Sequence, residues 1–196
     1  MTRLELHVDP SCIHLFYALL EKGVIVSAKT GCTLRDFLCG QLGISGDYLN
    51  QRVQTLFLDA RPVDDVDAVV VRNGSTLALS AAMPGLLGAT MRKGGRYAAF
   101  RKDISQPADA CGVCETSGQV TVKLFNMVAR EVGGRLLEAG VEVDGRDLQR
   151  SIDRCPEAFG RCIRKVRRDG QTVAADSAFF STLASGRISL SVSAAG

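Results

Sequence analysis

The chain has 196 residues, 46% of them hydrophobic, and a net charge of +3, a composition too apolar and too balanced in charge for a disordered protein. No apolar run approaches the roughly 20 residues that a membrane helix needs. The first residues alternate in polarity and include Glu5, which is not the pattern of a secretory signal. We therefore expect a cytoplasmic protein of one or two domains, with no membrane partner.

The seven cysteines are an odd count, and in a cytoplasmic protein reduced thiols are the default. Four of them have apolar neighbours and are expected to act as small core residues: Cys12, Cys32, Cys39 and Cys162. Charge is divided unevenly, with a net of −2 in residues 1–85 and +5 in residues 86–196. The second half therefore suits an acidic partner without requiring nucleic acid.

Alternation and capping residues predict the elements of the first half. Strands are expected over 4–8, 24–26 and 53–58, with helices over 11–20 and from Leu34 to Leu42. Ser11 is placed to cap the first helix, and Gly23 to end it. A last hairpin is expected to join 69–71 to 76–79 around Asn73 and Gly74.

The second half predicts the same kind of elements. Strands are expected over 120–125, 141–143 and 188–192, and Asp169–Gly170 has the residues of a hairpin turn. Asn126 is expected to cap a short helix that Gly133 and Gly134 stop. A second helix carries Leu148, Ile152 and Cys155, and Pro156 limits it. Residues 162–168 fit a strand or a helix.

Three pairs of segments resemble each other in the same order along the chain. They are residues 19–26 and 136–143, residues 59–63 and 169–173, and residues 76–82 and 189–195. The first pair is identical at six of eight positions and the third at four of seven. We interpret them as the trace of a duplicated domain of about 80 residues. Chance similarity between strand segments that contain glycine is the alternative.

The segment from Val122 to Phe125, followed by residues 128–133, resembles the opening of the ubiquitin-like sulfur carriers of molybdopterin and thiamin synthesis. In those proteins a strand rich in Val, Leu and Phe leads into a short helix with Arg-Glu and then Gly. The resemblance implies an α+β fold of two tandem ubiquitin-like β-grasp domains, each a mixed sheet with packed helices. The expected division is domain 1 over 1–85, a linker over 86–118 and domain 2 over 119–196.

Those carriers act through a terminal Gly-Gly, because a side chain on either residue would clash in the narrow site that receives the tail. Here Ala195 precedes Gly196, so the resemblance implies the fold with more force than the activity. We expect a non-enzymatic protein-interaction module related to the carriers. The alternative is a sulfur or modifier carrier activated at Gly196 by an adenylating enzyme.

The expected linker is basic, and aromatic residues are interleaved with its cations. Its candidate partner-binding residues are Arg92, Lys93, Arg96, Tyr97, Phe100, Arg101 and Lys102. Arginines and aromatics serve as anchors in protein interfaces, so an acidic protein partner is expected. A pI of about 8.5 falls short of a nucleic-acid footprint. A solvated loop is the simplest alternative.

The same linker contains Cys111 and Cys114, separated by two residues. Two thiolates at this spacing can share a zinc ion or form a redox-active disulfide. Cys155 and Cys162 are the nearest second pair, and they are loosely spaced. We expect two loop thiols and no cofactor, and keep a zinc or redox module as the alternative.

No pattern in the chain predicts an enzyme. His7 and His14 are the only histidines, and neither lies in a nucleophile motif. The acidic residues Asp64, Asp65 and Asp67 lack the pattern of a calcium loop, and no glycine-rich phosphate loop is present.

Overall fold

The computed structural model describes residues 1–82, 85–97, 104–108, 116–174, 176, 179–180, 182–184 and 186–195. It divides into two compact units, here called unit 1 (residues 1–25 and 129–196) and unit 2 (residues 26–128). In the described part of the chain, no helix is both long and apolar enough to cross a membrane. The fold is α+β.

The strands are β1 (Thr2–Val8), β2 (Val24–Thr30), β3 (Thr55–Leu58), β4 (Arg61–Pro62), β5 (Thr76–Ser80), β6 (Thr116–Phe125), β7 (Val141–Asp144), β8 (Ile163–Arg168), β9 (Gln171–Val173) and β10 (Arg187–Ala194). The α-helices are α1 (Tyr17–Lys22), α2 (Gly46–Gln51), α3 (Gly85–Met91), α4 (Asn126–Ala139), α5 (Gly145–Arg154) and α6 (Pro156–Cys162). Short 3₁₀ helices span Pro10–Phe16 and Thr182–Ala184, and a π-helical turn spans Asp36–Gln41.

Unit 1 contains a mixed sheet in the order β9-β8-β1-β10-β7. β1 runs parallel to β10 and antiparallel to β8. Leu4, Leu6 and Val8 are buried while the residues between them are partly exposed, so one face of the sheet is covered and the other is open. In the covered core, the rings of Phe16 and Phe159 pack edge to face, with their centroids 5.3 Å apart.

Unit 2 contains a mixed sheet in the order β4-β3-β5-β6-β2. β5 runs antiparallel to β3 and parallel to β6. Its covered face buries one alternating set of side chains, which are Leu56, Leu58, Leu77, Leu79, Val120, Val122 and Leu124. The helical segments supply fully buried partners, among them Phe37, Leu38 and Leu49. Each unit therefore has one covered and one open sheet face.

The two hairpin turns make the same backbone contacts. The Asp59 N–H donates to the Thr76 carbonyl (2.8 Å), and its Oδ1 accepts from the Thr76 N–H (2.7 Å). The Asp169 N–H donates to the Arg3 carbonyl (2.9 Å), and its Oδ1 accepts from the Arg3 N–H (2.8 Å). Asp59 and Asp169 both have a positive φ, which short polar side chains tolerate. β5 and β1 therefore hold equivalent positions in their units.

This equivalence differs from the one predicted from the repeat, which matches residues 76–82 with 189–195. β1 lies beside β10, and β5 lies beside β6, so the first strand of each predicted half pairs with the last strand of the other half. The units consequently do not coincide with the predicted domains 1–85 and 119–196. Two parallel strands that lie side by side have the same alternation of buried and exposed residues. The sequence pattern therefore does not show which of the two strands holds which position in the sheet.

Two local predictions are wrong. Residues 69–71 do not pair with β5; Val69 and Val71 instead make backbone hydrogen bonds to residues 31–34. Helix α4 does not stop at Gly133 and Gly134 but continues to Ala139. A Cβ at Gly133 would collide with Leu20, so this glycine serves close helix packing rather than helix termination. Residues 163–168, which were ambiguous, form strand β8.

Cys12 and Cys162 form a disulfide, with Cα atoms 5.9 Å apart, which corrects the expectation that both are reduced core residues. The antiparallel pairing of Val8 with Ile163 brings the two cysteines together. A separation of 150 residues hides this proximity from sequence spacing. Cys32, Cys39 and Cys155 are not disulfide-bonded.

Candidate functional site

The open sheet face of unit 2 carries an apolar surface depression. Strand alternation directs every second side chain outward, and the register aligns them in rows. One row contains Phe57, Ala78 and Lys123 on β3, β5 and β6. The next row contains Thr55 and Ser80, which are buried, and Phe125, which is partly exposed.

A cavity of about 200 Å³ lies in these two rows. Phe57 and Phe125 stand diagonally across it, and the small side chain of Ala78 leaves the space between them open. The remaining lining comes from Thr55, Ser80 and Asn126, and from Leu79, which is fully buried in the covered core. The accessible lining is almost entirely apolar and contains no ionisable side chain, so the cavity offers shape and apolar contact.

Asn126 fixes one end of the cavity. It follows β6 directly and has a φ of +54°, a conformation that asparagine adopts more readily than most residues. Its Nδ2 donates to the Ser80 hydroxyl (3.2 Å) and to the Ala82 carbonyl (3.0 Å). These two hydrogen bonds tie the start of α4 to the end of β5, which holds the Phe125 side of the cavity in place.

Lys123 provides a cation beside the cavity. It lies next to Ala78 in the register and two residues before Phe125 on the same face of β6. Its side chain is partly exposed and makes no ion pair with the residues that the structure describes. The site therefore combines an apolar depression with a partly exposed lysine beside it.

The predicted partner-binding segment lies elsewhere in unit 2. The Lys93 N–H donates to the Gln54 carbonyl (2.7 Å), and its Nζ donates to the Leu49 carbonyl (3.2 Å). Desolvation, followed by the charge of Arg35, lowers the pKa of the Lys93 ammonium. Lys93 is thus a half-buried anchor for its own segment rather than a free cation.

The rest of the predicted linker divides between described and undescribed residues. Arg92, Arg96 and Tyr97 are exposed. Gln106 donates its N–H to the Pro62 carbonyl, and the Gly94 N–H donates to Asp64, so the described parts of the segment lie against unit 2. Phe100, Arg101 and Lys102 lie outside the described residues.

The metal and carrier candidates are not placed. Cys111, Cys114 and Gly196 lie outside the described residues. Cys162 cannot ligate a metal while its sulfur is bonded to Cys12. In the described part of the chain, no group of three or more His, Cys, Asp or Glu side chains is arranged to hold a metal ion. The Ala195 N–H donates to the Val8 carbonyl (2.7 Å), which keeps residue 195 against β1.

The structure adds residues that sequence reasoning did not single out. Phe57 and Ala78 carry no motif, and only their register makes them neighbours. An aromatic residue at an outward strand position is the signal that points to Phe57. In unit 1, His7 Nδ1 lies 2.9 Å from the Ser193 hydroxyl on the neighbouring strand.

Comparisons with known proteins do not identify a family. No protein-family model, no curated protein and no solved structure matches the chain.

Proposed function

We propose that this chain is a non-enzymatic protein-interaction module, built from two β-grasp units that arose by tandem duplication, and that it is related to the ubiquitin-like sulfur carriers. The mixed sheets with packed helices and the matched hairpin turns at Asp59 and Asp169 support the duplication. The carrier relationship rests on the resemblance of residues 122–133. A cytoplasmic location belongs to the same proposal.

The observation that carries the proposal is the apolar cavity on an open sheet face. Binding energy at protein interfaces is concentrated where a large side chain enters a pocket and water is excluded. A cavity of about 200 Å³ has room for one such side chain between Phe57 and Phe125. The partner therefore presents a Leu, Met or Phe anchor to this face.

The charge beside the cavity defines the partner further. Lys123 is partly exposed next to Ala78 and attracts an acidic residue placed beside the anchor. An exposed pair of this kind contributes modest affinity but selects one orientation of the bound segment. We infer a partner segment in which a large apolar residue and an Asp or Glu are close in sequence.

A displayed peptide library, selected against the folded chain, tests the proposal. We expect enriched peptides to share an apolar anchor next to an acidic residue. Ala78→Leu fills the cavity from an outward position and should reduce their affinity at least about tenfold, the effect of losing one anchor contact. Lys123→Glu should weaken binding and shift the selection towards Lys or Arg beside the anchor.

The matched control is Ser191→Leu, which makes the same kind of change on the open sheet face of unit 1. It should leave binding unchanged. If the selected peptides bind Ala78→Leu as well as the parent protein but lose affinity for Arg96→Glu, the basic segment is the docking site. That result would overturn the proposed site while leaving an interaction function.

A further inference from the structure

A second cavity lies in unit 1 between α1 and α5. It has a volume of about 280 Å³ and is open to solvent. Asp147, Arg150, Ser151 and Arg154 line it from α5, since a spacing of three or four residues places side chains on one helix face. Lys22 lines it from the last turn of α1.

The charges in this cavity are not balanced. Asp147 accepts a hydrogen bond from Lys22 Nζ and another from Arg150 Nη1 (3.1 Å), so one carboxylate serves two cations. Arg154 lies one turn beyond Arg150, and its side chain makes no hydrogen bond or ion pair with the residues that the structure describes. Three cations and one carboxylate leave a formal charge of +2.

Such an arrangement favours a dianion. Cations one helical turn apart repel each other, and a bound anion relieves that repulsion. A phosphate monoester carries a charge of about −1.5 to −2 at neutral pH, which matches the charge of the cavity. Arginine can also bind a phosphate through two parallel hydrogen bonds.

The lining narrows the ligand further. The Ser151 hydroxyl donates to the Asp147 carbonyl (3.0 Å), so recognition falls to Lys22, Arg150 and Arg154. The rest of the described wall is aliphatic, from Ala18 and Leu19, and contains no aromatic ring on which a base could stack. We propose that this cavity binds the phosphate group of a small phosphorylated molecule.

The proposal can be tested by titrating the ¹⁵N-labelled full chain with inorganic phosphate and, separately, with glycerol phosphate. Chloride at matched ionic strength serves as the blank. We expect saturable shifts in backbone amides of residues 18–22 and 147–154. Tighter binding of glycerol phosphate would identify an ester as the ligand, and equal binding would identify the free ion. Shifts spread over all basic surfaces, or reproduced by chloride, would overturn the site.

Paired variants sharpen the test because they act in opposite directions. Arg154→Gln should weaken phosphate binding about tenfold through the loss of one charge-assisted contact. Asp147→Asn raises the formal charge of the cavity to +3 and should strengthen binding severalfold. Arg161→Gln removes the same charge from α6, outside the cavity, and should change nothing. An equal loss of phosphate affinity in Arg154→Gln and Arg161→Gln would show that general surface charge, and not this cavity, binds the anion.

Discussion

The open sheet faces of the two units share a strand arrangement but differ in chemistry. In unit 1 the outward side chains are charged or hydroxyl-bearing, and Glu5 is bound by both Arg3 and Arg167 at 3.2 Å. In unit 2 the outward rows include Phe57 and Phe125 on either side of Ala78, together with Lys123 and the hydroxyl-bearing Thr55 and Ser80. The alternation that builds the covered cores is common to both units, so the outward positions are where the two units diverge.

This difference has an energetic meaning for docking. A partner that covers unit 1 must take hydrogen-bonded and charged groups out of water, and that cost offsets much of the gain from contact. A partner that covers the unit 2 cavity removes apolar surface from water at little polar cost. We therefore expect unit 2 to bind and unit 1 to remain solvated on this face.

The largest effect should come from the cross-link in unit 1. Cys12→Ser with Cys162→Ser should lower the free energy of unfolding by about 2–4 kcal/mol, because the bond restricts a long loop in the unfolded chain. Hydrogen exchange should show lost protection in unit 1 and little change in unit 2. The single variant Cys155→Ser is the control. A uniform loss across both units would mean that they unfold as one.

The proposed cytoplasmic location predicts that Cys12 and Cys162 are reduced in the protein inside the cell.

The second effect concerns the charge network of unit 1. Glu5→Gln should lower the free energy of unfolding by about 1 kcal/mol, because Arg3 and Arg167 lose a shared carboxylate that is itself mostly buried. Urea titration measures the change. The conservative variant Glu5→Asp should lose part of that stability. An unchanged midpoint for Glu5→Gln would show that the network contributes nothing measurable to stability.

A third, smaller effect separates binding from folding in unit 2. Ala78→Leu should alter the free energy of unfolding by less than about 0.5 kcal/mol, because the added atoms enter open space on the outward face. Thermal unfolding checks this expectation, with Ser191→Leu as the matched variant of unit 1. A large destabilisation would mean that the cavity is smaller than described.

The smallest effect is a pH dependence in unit 2. The Arg35 guanidinium hydrogen-bonds Asp67 at Nη2–Oδ2 2.9 Å, and this bond holds the pKa of that carboxyl below its usual value. Because the pKa of Asp67 is lower in the folded than in the unfolded chain, its ionised form stabilises the fold at pH values above the unfolded-state pKa. That stability is lost as the pH falls through the folded-state pKa. Asp67→Asn should therefore remove a small part of the acid-limb slope below about pH 4. Urea titrations at pH 2.5, 4 and 7 would detect it, and parallel curves would contradict it.

The sequence predicts where strands and helices lie better than it predicts which strands pair with each other. Alternation at Leu4, Leu6 and Val8 and at Val120, Val122 and Leu124 predicts β1 and β6, because local burial repeats every second residue. It does not show that Thr2 pairs with Ile188, since pairing across the chain leaves no local pattern. Gly133 shows the same limit: its helix continues because of tertiary packing against Leu20.

The candidate site could not be predicted from the sequence for a related reason. A cavity is an absence of atoms, and it arises here because Ala78 lies in register between larger neighbours from two other strands. Composition and motifs report residues that are present. The basic segment attracted attention by its charge, yet Lys93 proves to be an internal anchor.

The placement of β1 has a consequence for synthesis on the ribosome. Unit 2 is continuous from residue 26 to residue 128 and can fold as soon as β6 has emerged. β1 is made well before its two neighbours β8 and β10, so this alternating strand stays unpaired while most of the chain is translated. The nascent chain therefore keeps the apolar side chains Leu4, Leu6 and Val8 in water for several seconds at usual elongation rates.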